Sequence, residues 1–186
     1  MQRFAPDRIA EAAALLRAGG ALAYPTEAVF GLGCDPDNRQ AFEKIFALKQ
    51  RPPEQGVLLI AAEFSQIADW IEAPPEAIAR ARATWPGAHT WVFPRSPRVP
   101  EWVAGAHGGI ALRVTAHETA AALCRAFAGP IVSTSANIHG QSPARSAKEC
   151  ETVFGSALDG ILQGKTGGLS RPTPIADALT GGIIRN

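Results

Sequence analysis

Two cations stand at the end of a predicted helix, where their side chains could hold a polyphosphate. Lys49 and Arg51 are two residues apart, and Pro52 and Pro53 follow them directly and must end the helix. A lysine supplies a compact point charge and an arginine a planar fork, a combination that suits phosphate groups. The alternative is structural, because cations at a helix C-terminus also interact favourably with the helix dipole.

A run of small, mostly polar residues follows a short apolar strand later in the chain. Residues 133–137 read Ser-Thr-Ser-Ala-Asn and come directly after the apolar pair at 131–132. Ligands of α/β sheets collect where strands end, and hydroxyl and carboxamide groups can orient a phosphate or a ribose there. The alternative is ordinary turn chemistry, which serine and asparagine also favour.

Two further polar sites stand among apolar neighbours. Thr26 and Glu27 lie between a predicted strand and an aromatic-glycine turn, where a capping hydroxyl is the structural alternative. Arg113 lies within the predicted strand 110–114 and needs either an internal acid or an anionic ligand as its partner. The sequence leaves both explanations of Arg113 open.

Several familiar sites are excluded by their spacing. Gly31 and Gly33 follow a strand, but position 36 is proline, so the dinucleotide fingerprint is incomplete. The segment Gly164-Lys165-Thr166 resembles the end of a P-loop, but the first glycine of that motif is replaced by Asp159. The three cysteines and four histidines form no metal-binding motif, so we expect no protein-bound metal and reduced, buried thiols.

The elements that would position these residues alternate irregularly between helix and strand. Apolar spacing predicts a first helix that Gly19-Gly20 ends, and Asp37 with Gln40 resembles a capping box at the start of the second helix. The other predicted helices cover 63–71, 75–84 and 117–127, and the predicted strands cover 21–24, 57–61, 90–94, 110–114 and 131–134, with short apolar runs near 161 and 175. This order predicts an α/β (α+β) fold, a twisted mixed β-sheet flanked by helices, with a concave ligand cleft.

The bulk composition agrees with one globular domain over residues 1–186. Hydrophobic residues make up 46% and charged residues 19% of the chain, so a packed core is expected. Lys+Arg is 18 and Asp+Glu is 17, which gives a net charge of +1 and no general attraction to nucleic acid or membranes. We find neither a membrane-spanning run nor a signal peptide and expect a cytoplasmic protein. The oligomeric state is not fixed by the sequence.

Taken together, the motifs resemble the YrdC-like family. The chain carries, in order, Pro-Thr-Glu at 25–27, Leu-Lys-x-Arg-Pro at 48–52, Trp-Pro-Gly at 85–87, Ala-Leu-Arg-Val at 111–114 and Ser-Thr-Ser-Ala-Asn at 133–137. The resemblance runs from about residue 6 to the end and is greatest to the short, single-domain bacterial branch. It implies an enzyme, a nucleotidyltransferase that makes threonylcarbamoyl-adenylate and pyrophosphate from L-threonine, bicarbonate or CO2, and ATP. The product serves threonylcarbamoyl-adenosine modification of tRNA, which is reached directly or through downstream transfer proteins.

The resemblance also implies roles for the nucleotide side of the site. Lys49 and Arg51 match the family's Lys-x-Arg motif and are expected to be catalytic and to hold the phosphates of ATP. Ser135 and Asn137 match its Ser-x-Asn motif and are expected to bind the nucleotide or its metal, with Arg185 as a further ATP-binding residue. Mg²⁺ is expected to arrive with ATP, and no tightly bound organic cofactor is expected.

The amino-acid side of the site is implied in the same way. Thr26 matches the hydroxyl of the family's threonine site, and Arg113 matches an arginine that pairs with the amino acid's carboxylate. Thr134 and Thr173 are expected in the same cleft.

The chain departs from the family pattern at three places. A His-Pro pair that many members carry after Lys-x-Arg-Pro is replaced here by residues 53–57, Pro-Glu-Gln-Gly-Val. The usual Trp-Pro-Gly-Pro becomes Trp-Pro-Gly-Ala at 85–88, followed by His89, which is either a cleft residue or a partly buried turn residue. A Ser-Thr-Ile-type stretch becomes Thr-Pro-Ile at 173–175.

Two alternative functions stand beside the leading one. The first is a carbamoyl-adenylate-forming enzyme on the same scaffold, which would use carbamoyl phosphate, as in hydrogenase maturation. The second is a binding module for double-stranded RNA or tRNA, since a cleft rich in Arg and Lys would attract an RNA backbone. The net charge of +1 argues against RNA binding as the main role.

Overall fold

The computed structural model describes residues 1–52 and 55–185. The α-helices are α1 (Ile9–Arg17), α2 (Arg39–Lys49), α3 (Pro75–Arg82), α4 (Glu101–Ala104), α5 (Glu118–Phe127) and α6 (Ala147–Phe154). Short 3₁₀ turns lie at Phe64–Gln66, Ala68–Trp70 and Gly155–Ala157. No helix within the described residues is both long and apolar enough to span a membrane.

In the described part of the chain, ten strands form one sheet. They are β1 (Gln2–Phe4), β2 (Leu22–Pro25), β3 (Phe30–Gly33), β4 (Leu58–Ala61), β5 (Thr90–Pro94), β6 (Gly109–Val114), β7 (Ile131–Ser135), β8 (Gly160–Leu162), β9 (Ile175–Asp177) and β10 (Ile183–Arg185). Their order across the sheet is β1-β8-β2-β3-β7-β4-β6-β5-β9-β10. Because β4 pairs in parallel with β6 and antiparallel with β7, the sheet is mixed. This confirms the predicted fold class.

The core lies on both faces of the sheet. On one face, α1 and α5 pack against β2, β4 and β7, and Tyr24, Ile60 and Ile131 are fully or almost fully buried between them. On the opposite face, α2, α3, α4 and α6 contribute to a larger core cluster. The helices thus fix both faces of the central strands.

Most predicted elements are confirmed with small shifts at their ends, but three features differ. Residues 63–71 form two 3₁₀ turns instead of a helix, because the buried Ile67 and Trp70 are three residues apart, which suits the tighter turn. The aromatic-glycine turn is strand β3, in which Gly31 and Gly33 pair with β2. The N-cap of α2 is Asn38, whose side chain accepts a hydrogen bond from the Ala41 amide. The predicted capping box of Asp37 and Gln40 is therefore wrong.

Candidate active site

A cleft of about 810 Å³ opens on one face of the sheet at β5 and β6. Successive side chains of a strand point to opposite faces, and Thr90, Val92, Ala111 and Arg113 line this cleft. The residues that alternate with them on the same two strands belong to the core on the other face: Trp91, Phe93, Ile110 and Leu112. Alternation along two neighbouring strands therefore makes the floor of the cleft.

The walls come from segments that are distant in the sequence. They include the turn after β2, the end of β7 and the segments around β9 and β10. Residues that line these walls include Thr26, Ala28, Val29, Arg51, Gly56, Ser133, Thr134, Ser135, Asn137, Pro172, Thr173, Ile184 and Arg185. The structure thus brings eight of the nine predicted site residues to the lining of one cleft; Lys49 is described separately below.

Arg113 is a buried cation in the cleft floor with four internal hydrogen bonds. Its Nη1 donates to Oε2 of Glu27 at 3.3 Å, and its Nε and Nη2 donate to Oγ1 of Thr90 at 3.1 and 2.7 Å. Nη2 also donates to Oγ1 of Thr173. Burial lowers the pKa of Arg113, and the Glu27 carboxylate opposes that shift. Arg113 therefore has an internal acid as its partner and also faces the ligand space.

Glu27 is held in place through both its side chain and its backbone. Its Oε1 accepts a hydrogen bond from Oγ1 of Thr115 at 2.6 Å, and its carbonyl accepts one from the Leu169 amide at 3.1 Å. Gly167 approaches so closely that a Cβ there would lie 3.0 Å from the Glu27 Cα. These contacts fix the carboxylate next to Arg113.

Arg51 lines the wall of the cleft beside the end of β7. Its Nη1 donates to Oγ1 of Thr134 at 3.2 Å, and its Nη2 donates to the Gly56 carbonyl at 2.9 Å. Its Nε donates to Oε1 of Gln55 at 3.0 Å. Burial lowers the pKa of Arg51. Each terminal nitrogen keeps a second N–H, so the guanidinium can still donate to a ligand.

Lys49 contacts the segment at 135–137, and its own side chain is buried. It is 3% exposed and is not among the described residues that line the cleft. Its Nζ donates to the carbonyls of Ser135 and Asn137, the latter at 3.0 Å, and to Oδ1 of Asn137 at 3.2 Å. Burial, with the nearby Arg51 charge, lowers the pKa of Lys49 to about 8. Direct contact between Lys49 and a phosphate stays a prediction.

The polar groups of Asn137 are used within its own turn. Its Oδ1 also accepts from Oγ of Ser135 at 2.6 Å, and its Nδ2 donates to the carbonyls of Ile138 and Gln141 at 2.9 and 2.8 Å. The Ser135 side chain is exposed and keeps acceptor lone pairs for a ligand. Of the two motif residues, Ser135 is thus the one with free hydrogen-bonding capacity.

The remaining predicted residues have simpler surroundings. Oγ1 of Thr26 donates to the Val29 carbonyl at 2.7 Å and closes the turn after β2. Nη2 of Arg185 donates to the Thr173 carbonyl at 3.3 Å and brings a further cation to the rim.

The chain is also similar to known proteins. The Sua5/YciO/YrdC family model, described as telomere recombination, matches residues 14–186. The chain belongs to the Sua5/YciO/YrdC family.

Relatives in this family cover nearly the whole chain. The chain is 53% identical over 178 residues to a threonylcarbamoyl-AMP synthase of Stenotrophomonas maltophilia, covering 94% of this chain and 96% of the relative. It is 52% identical over 181 residues to a threonylcarbamoyl-AMP synthase of Halorhodospira halophila, covering 97% and 95%.

A solved structure from the same family is also similar. P. abyssi Sua5 complexed with L-threonine superposes with a TM-score of 0.88 at 31% identity, over 95% of this chain. The chain spans about half of that protein, 53% of its length.

Within this Sua5/YciO/YrdC fold, sequence reasoning missed three polar residues of the cleft network. No motif in the sequence marks Thr90 or Thr115, and Glu27 stands out only as a neighbour of Thr26. A buried arginine in a strand signals that partners must exist, but it does not say which residues they are. Their identity depends on cross-strand and loop contacts between residues far apart in the chain.

His89 has no place in the cleft of this family member. It is exposed, it lies outside the described cleft lining, and its carbonyl accepts a hydrogen bond from Nε1 of Trp85 at 2.8 Å. It is a turn residue, and the expected partial burial is wrong.

Whether the cleft residues could hold a metal ion depends on the oxygen atoms that line the cleft. Within residues 1–52 and 55–185, no cluster of three or more His, Cys, Asp or Glu side chains could hold a metal ion. The described cleft lining contains no carboxylate, and Oδ1 of Asn137 already accepts bonds from Lys49 and Ser135. Such a donor set fits Mg²⁺ that keeps phosphate and water ligands and adds few from the protein.

Proposed function

We propose that the protein is a threonylcarbamoyl-AMP synthase that joins L-threonine, CO2 or bicarbonate, and ATP. The observation that carries this proposal is one cleft with two kinds of cation site. Buried Arg113 stands with the hydroxyls of Thr90 and Thr173, and Arg51 stands with Thr134. A carboxylate suits the first site and a polyphosphate suits the second. Relatives about half identical over nearly the full chain carry that enzyme name.

The proposed reaction needs no nucleophile from the protein. The amine of threonine bonds to the carbon of CO2 and releases a proton, which gives a carbamate. A carbamate oxygen then attacks the α-phosphorus of ATP, the bond from that phosphorus to the bridging β-phosphate oxygen breaks, and pyrophosphate leaves with the electron pair. Catalysis therefore rests on positioning two substrates and on stabilising charge at phosphorus.

The side chains of the cleft divide this work in the proposal. Arg113 and the hydroxyls of Thr26 and Thr173 bind threonine, with Thr134 beside them. Arg51, Ser135 and Arg185 bind ATP, and Lys49 with Asn137 holds the turn that carries Ser135. If Mg²⁺ arrives with ATP, it would neutralise charge that otherwise repels the carbamate, and Ser135 would be the cleft residue with oxygen lone pairs left to hold it.

Pyrophosphate release under single omissions tests the proposal. The protein is incubated with ATP, L-threonine and bicarbonate, and each substrate is left out in turn. Release is expected only when all three are present. Turnover that does not need threonine would sink the proposal, and turnover with carbamoyl phosphate in place of threonine and bicarbonate would favour the carbamoyl-adenylate enzyme instead.

tRNA is the proposed destination of the product. Because the labile adenylate must be passed on, we propose that tRNA or a transfer protein receives it near the cleft. A tRNA titration across salt concentrations, with and without ATP, tests direct binding. If ATP displaces tRNA, the two share the cleft; if tRNA does not bind, transfer requires another protein.

A further inference from the structure

The hydroxyl of Thr90 has only its hydrogen left to offer. Thr90 is the first residue of β5, lines the cleft and is 1% exposed. Its Oγ1 accepts hydrogen bonds from both Nε and Nη2 of Arg113, at 3.1 and 2.7 Å. A threonine hydroxyl has two acceptor lone pairs and one donor hydrogen. With both lone pairs occupied, Thr90 is committed to act as a donor.

That donor needs an acceptor from outside the described chain. The two bonds from Arg113 are the side-chain hydrogen bonds that the described residues give this hydroxyl. A buried polar hydrogen without an acceptor is unfavourable, so the O–H must bond to a ligand or water in the cleft. The Arg113 charge polarises the hydroxyl and makes it a stronger donor.

Thr173 supplies a second hydroxyl beside the first. The parallel pairing of Thr90 with Ile175 brings the start of β9 alongside β5, and the Thr90 amide donates to the Pro174 carbonyl at 3.0 Å. Nη2 of Arg113 donates to Oγ1 of Thr173 as well as to Thr90. One guanidinium thus orients two neighbouring hydroxyls, which suits an acceptor with two oxygens.

The charge balance around these hydroxyls selects the kind of acceptor. Glu27 already offsets much of the Arg113 charge at 3.3 Å, and both side chains are buried. A multiply charged phosphate would meet a nearly neutral pair there, together with repulsion from Glu27. A single carboxylate on a zwitterionic ligand is compatible with that balance.

We propose that Thr90 is a further substrate-binding residue, which donates its hydroxyl hydrogen to the carboxylate of the amino-acid substrate. This inference rests on the proposed function, because it takes the amino acid of that reaction as the ligand. Arg113 then acts on the carboxylate through its remaining Nη1 hydrogen and by orienting Thr90 and Thr173.

The test compares two ligands on matched variants of the full chain. L-Threonine and L-threoninol, in which the carboxylate is replaced by CH2OH, are titrated calorimetrically into wild type, Thr90→Val and Thr90→Ser. Thr90→Val should weaken L-threonine binding on the order of 10–100-fold, the range for a hydrogen bond to a charged group. Thr90→Ser should bind within about threefold of wild type. Threoninol binding should change less than about twofold in either variant, and the KM for ATP should stay unchanged.

Two outcomes would overturn the role of Thr90. Unchanged L-threonine binding by Thr90→Val would exclude the contact, and equal weakening of both ligands would assign Thr90 a purely structural role through Arg113. If Thr90→Val does not fold, the same ligand pair is titrated into Thr90→Ala, where water can replace the hydroxyl beside Arg113. A wild-type protein that binds no L-threonine would instead contradict the proposed function itself.

Discussion

Lys49 lies on the buried side of the turn at 135–137 and donates hydrogen bonds to three of its oxygen atoms. Replacing it with alanine removes one donor from the Ser135 carbonyl and from both oxygens of Asn137. The Asn137 amide still donates to the Ser135 carbonyl, and Oγ of Ser135 still donates to Oδ1 of Asn137, so only the Asn137 carbonyl loses its sole donor among the described residues. We expect Lys49→Ala to lower kcat/KM for pyrophosphate release on the order of 10²-fold, because a loosened turn would misplace Ser135 relative to the phosphates of ATP. Wild-type turnover in this variant would remove Lys49 from the mechanism.

Lys44 on the same helix provides a matched control for that substitution. Its ammonium pairs with Asp159 on the surface, and its side chain is 38% exposed. Lys44→Ala is therefore expected to keep kcat/KM within about twofold, because surface ion pairs contribute little. A similar loss in both variants would indicate that charge removal from α2 is harmful in general.

The buried pair of Glu27 and Arg113 makes the stability of the fold sensitive to a single carboxylate. Glu27→Ala leaves the Arg113 guanidinium buried without a counter-charge, so we expect the free energy of unfolding to fall by about 3–5 kcal/mol. Urea denaturation followed by circular dichroism measures this change.

The exposed ion pair of Arg39 and Glu43 is the control for the effect of burial on the Glu27–Arg113 pair. Glu43 is 58% exposed, and Glu43→Ala should change the free energy of unfolding by about 0.5 kcal/mol or less. Equal losses at Glu27 and Glu43 would contradict the importance of burial.

At the scale of elements, the contact of β3 with β2 and β7 requires a residue without a side chain. A Cβ on Gly33 would lie 2.7 Å from both Cε1 of Tyr24 and the Val132 carbonyl oxygen. We expect Gly33→Ala to destabilise the protein by about 1–3 kcal/mol, because a packed core accommodates added atoms only with strain. At Gly108, where a Cβ would meet nothing within 4 Å, alanine should change stability by about 0.5 kcal/mol or less. Thermal unfolding of both variants tests whether position 33 requires glycine. Equal melting temperatures for Gly33→Ala and Gly108→Ala would contradict this requirement.

The elements that the sequence predicts best are those with a periodic apolar pattern. Strands β5, β6 and β7 and helix α5 were predictable because each carries a continuous or regular apolar pattern. Strand β3 is not predicted because Gly31 and Gly33 suggest a turn, and only the pairing of β3 with β2 and β7 makes them strand residues. Helix α6 was missed in a polar segment, although Ser146 caps it by accepting a hydrogen bond from the Glu149 amide.

The site was predictable only where a local motif marks it. The pattern around Lys49 and Arg51 can be recognised from neighbouring residues alone. The burial of Lys49 behind Asn137 cannot be recognised in this way, because the contact joins residues 88 positions apart. Arg113 likewise needed a partner, but Glu27 lies 86 positions away and approaches only once the sheet has formed.

At the scale of the whole molecule, the protein is nearly neutral, but its cleft carries a local positive charge. The net charge is +1, whereas the described cleft lining carries Arg51 and Arg185 and no carboxylate, in addition to Arg113, whose charge Glu27 largely offsets. This arrangement should draw a polyanion toward the cleft before any contact forms. Threonine is a zwitterion with no net charge and should feel little of that attraction.

The arginines of the cleft lining therefore predict different association kinetics for the two proposed substrates. Stopped-flow measurements should show the association rate of ATP falling steeply as ionic strength rises from 0.01 to about 0.15 M, where the screening length shrinks from roughly 30 to 8 Å. The association rate of threonine should stay nearly constant over that range. Equal salt dependence for both would mean that the cleft has no long-range field. With such a field, ATP should associate faster than threonine at equal concentration and low salt. Capture of the amino acid, which has no net charge, would then set the rate of ternary-complex assembly under those conditions.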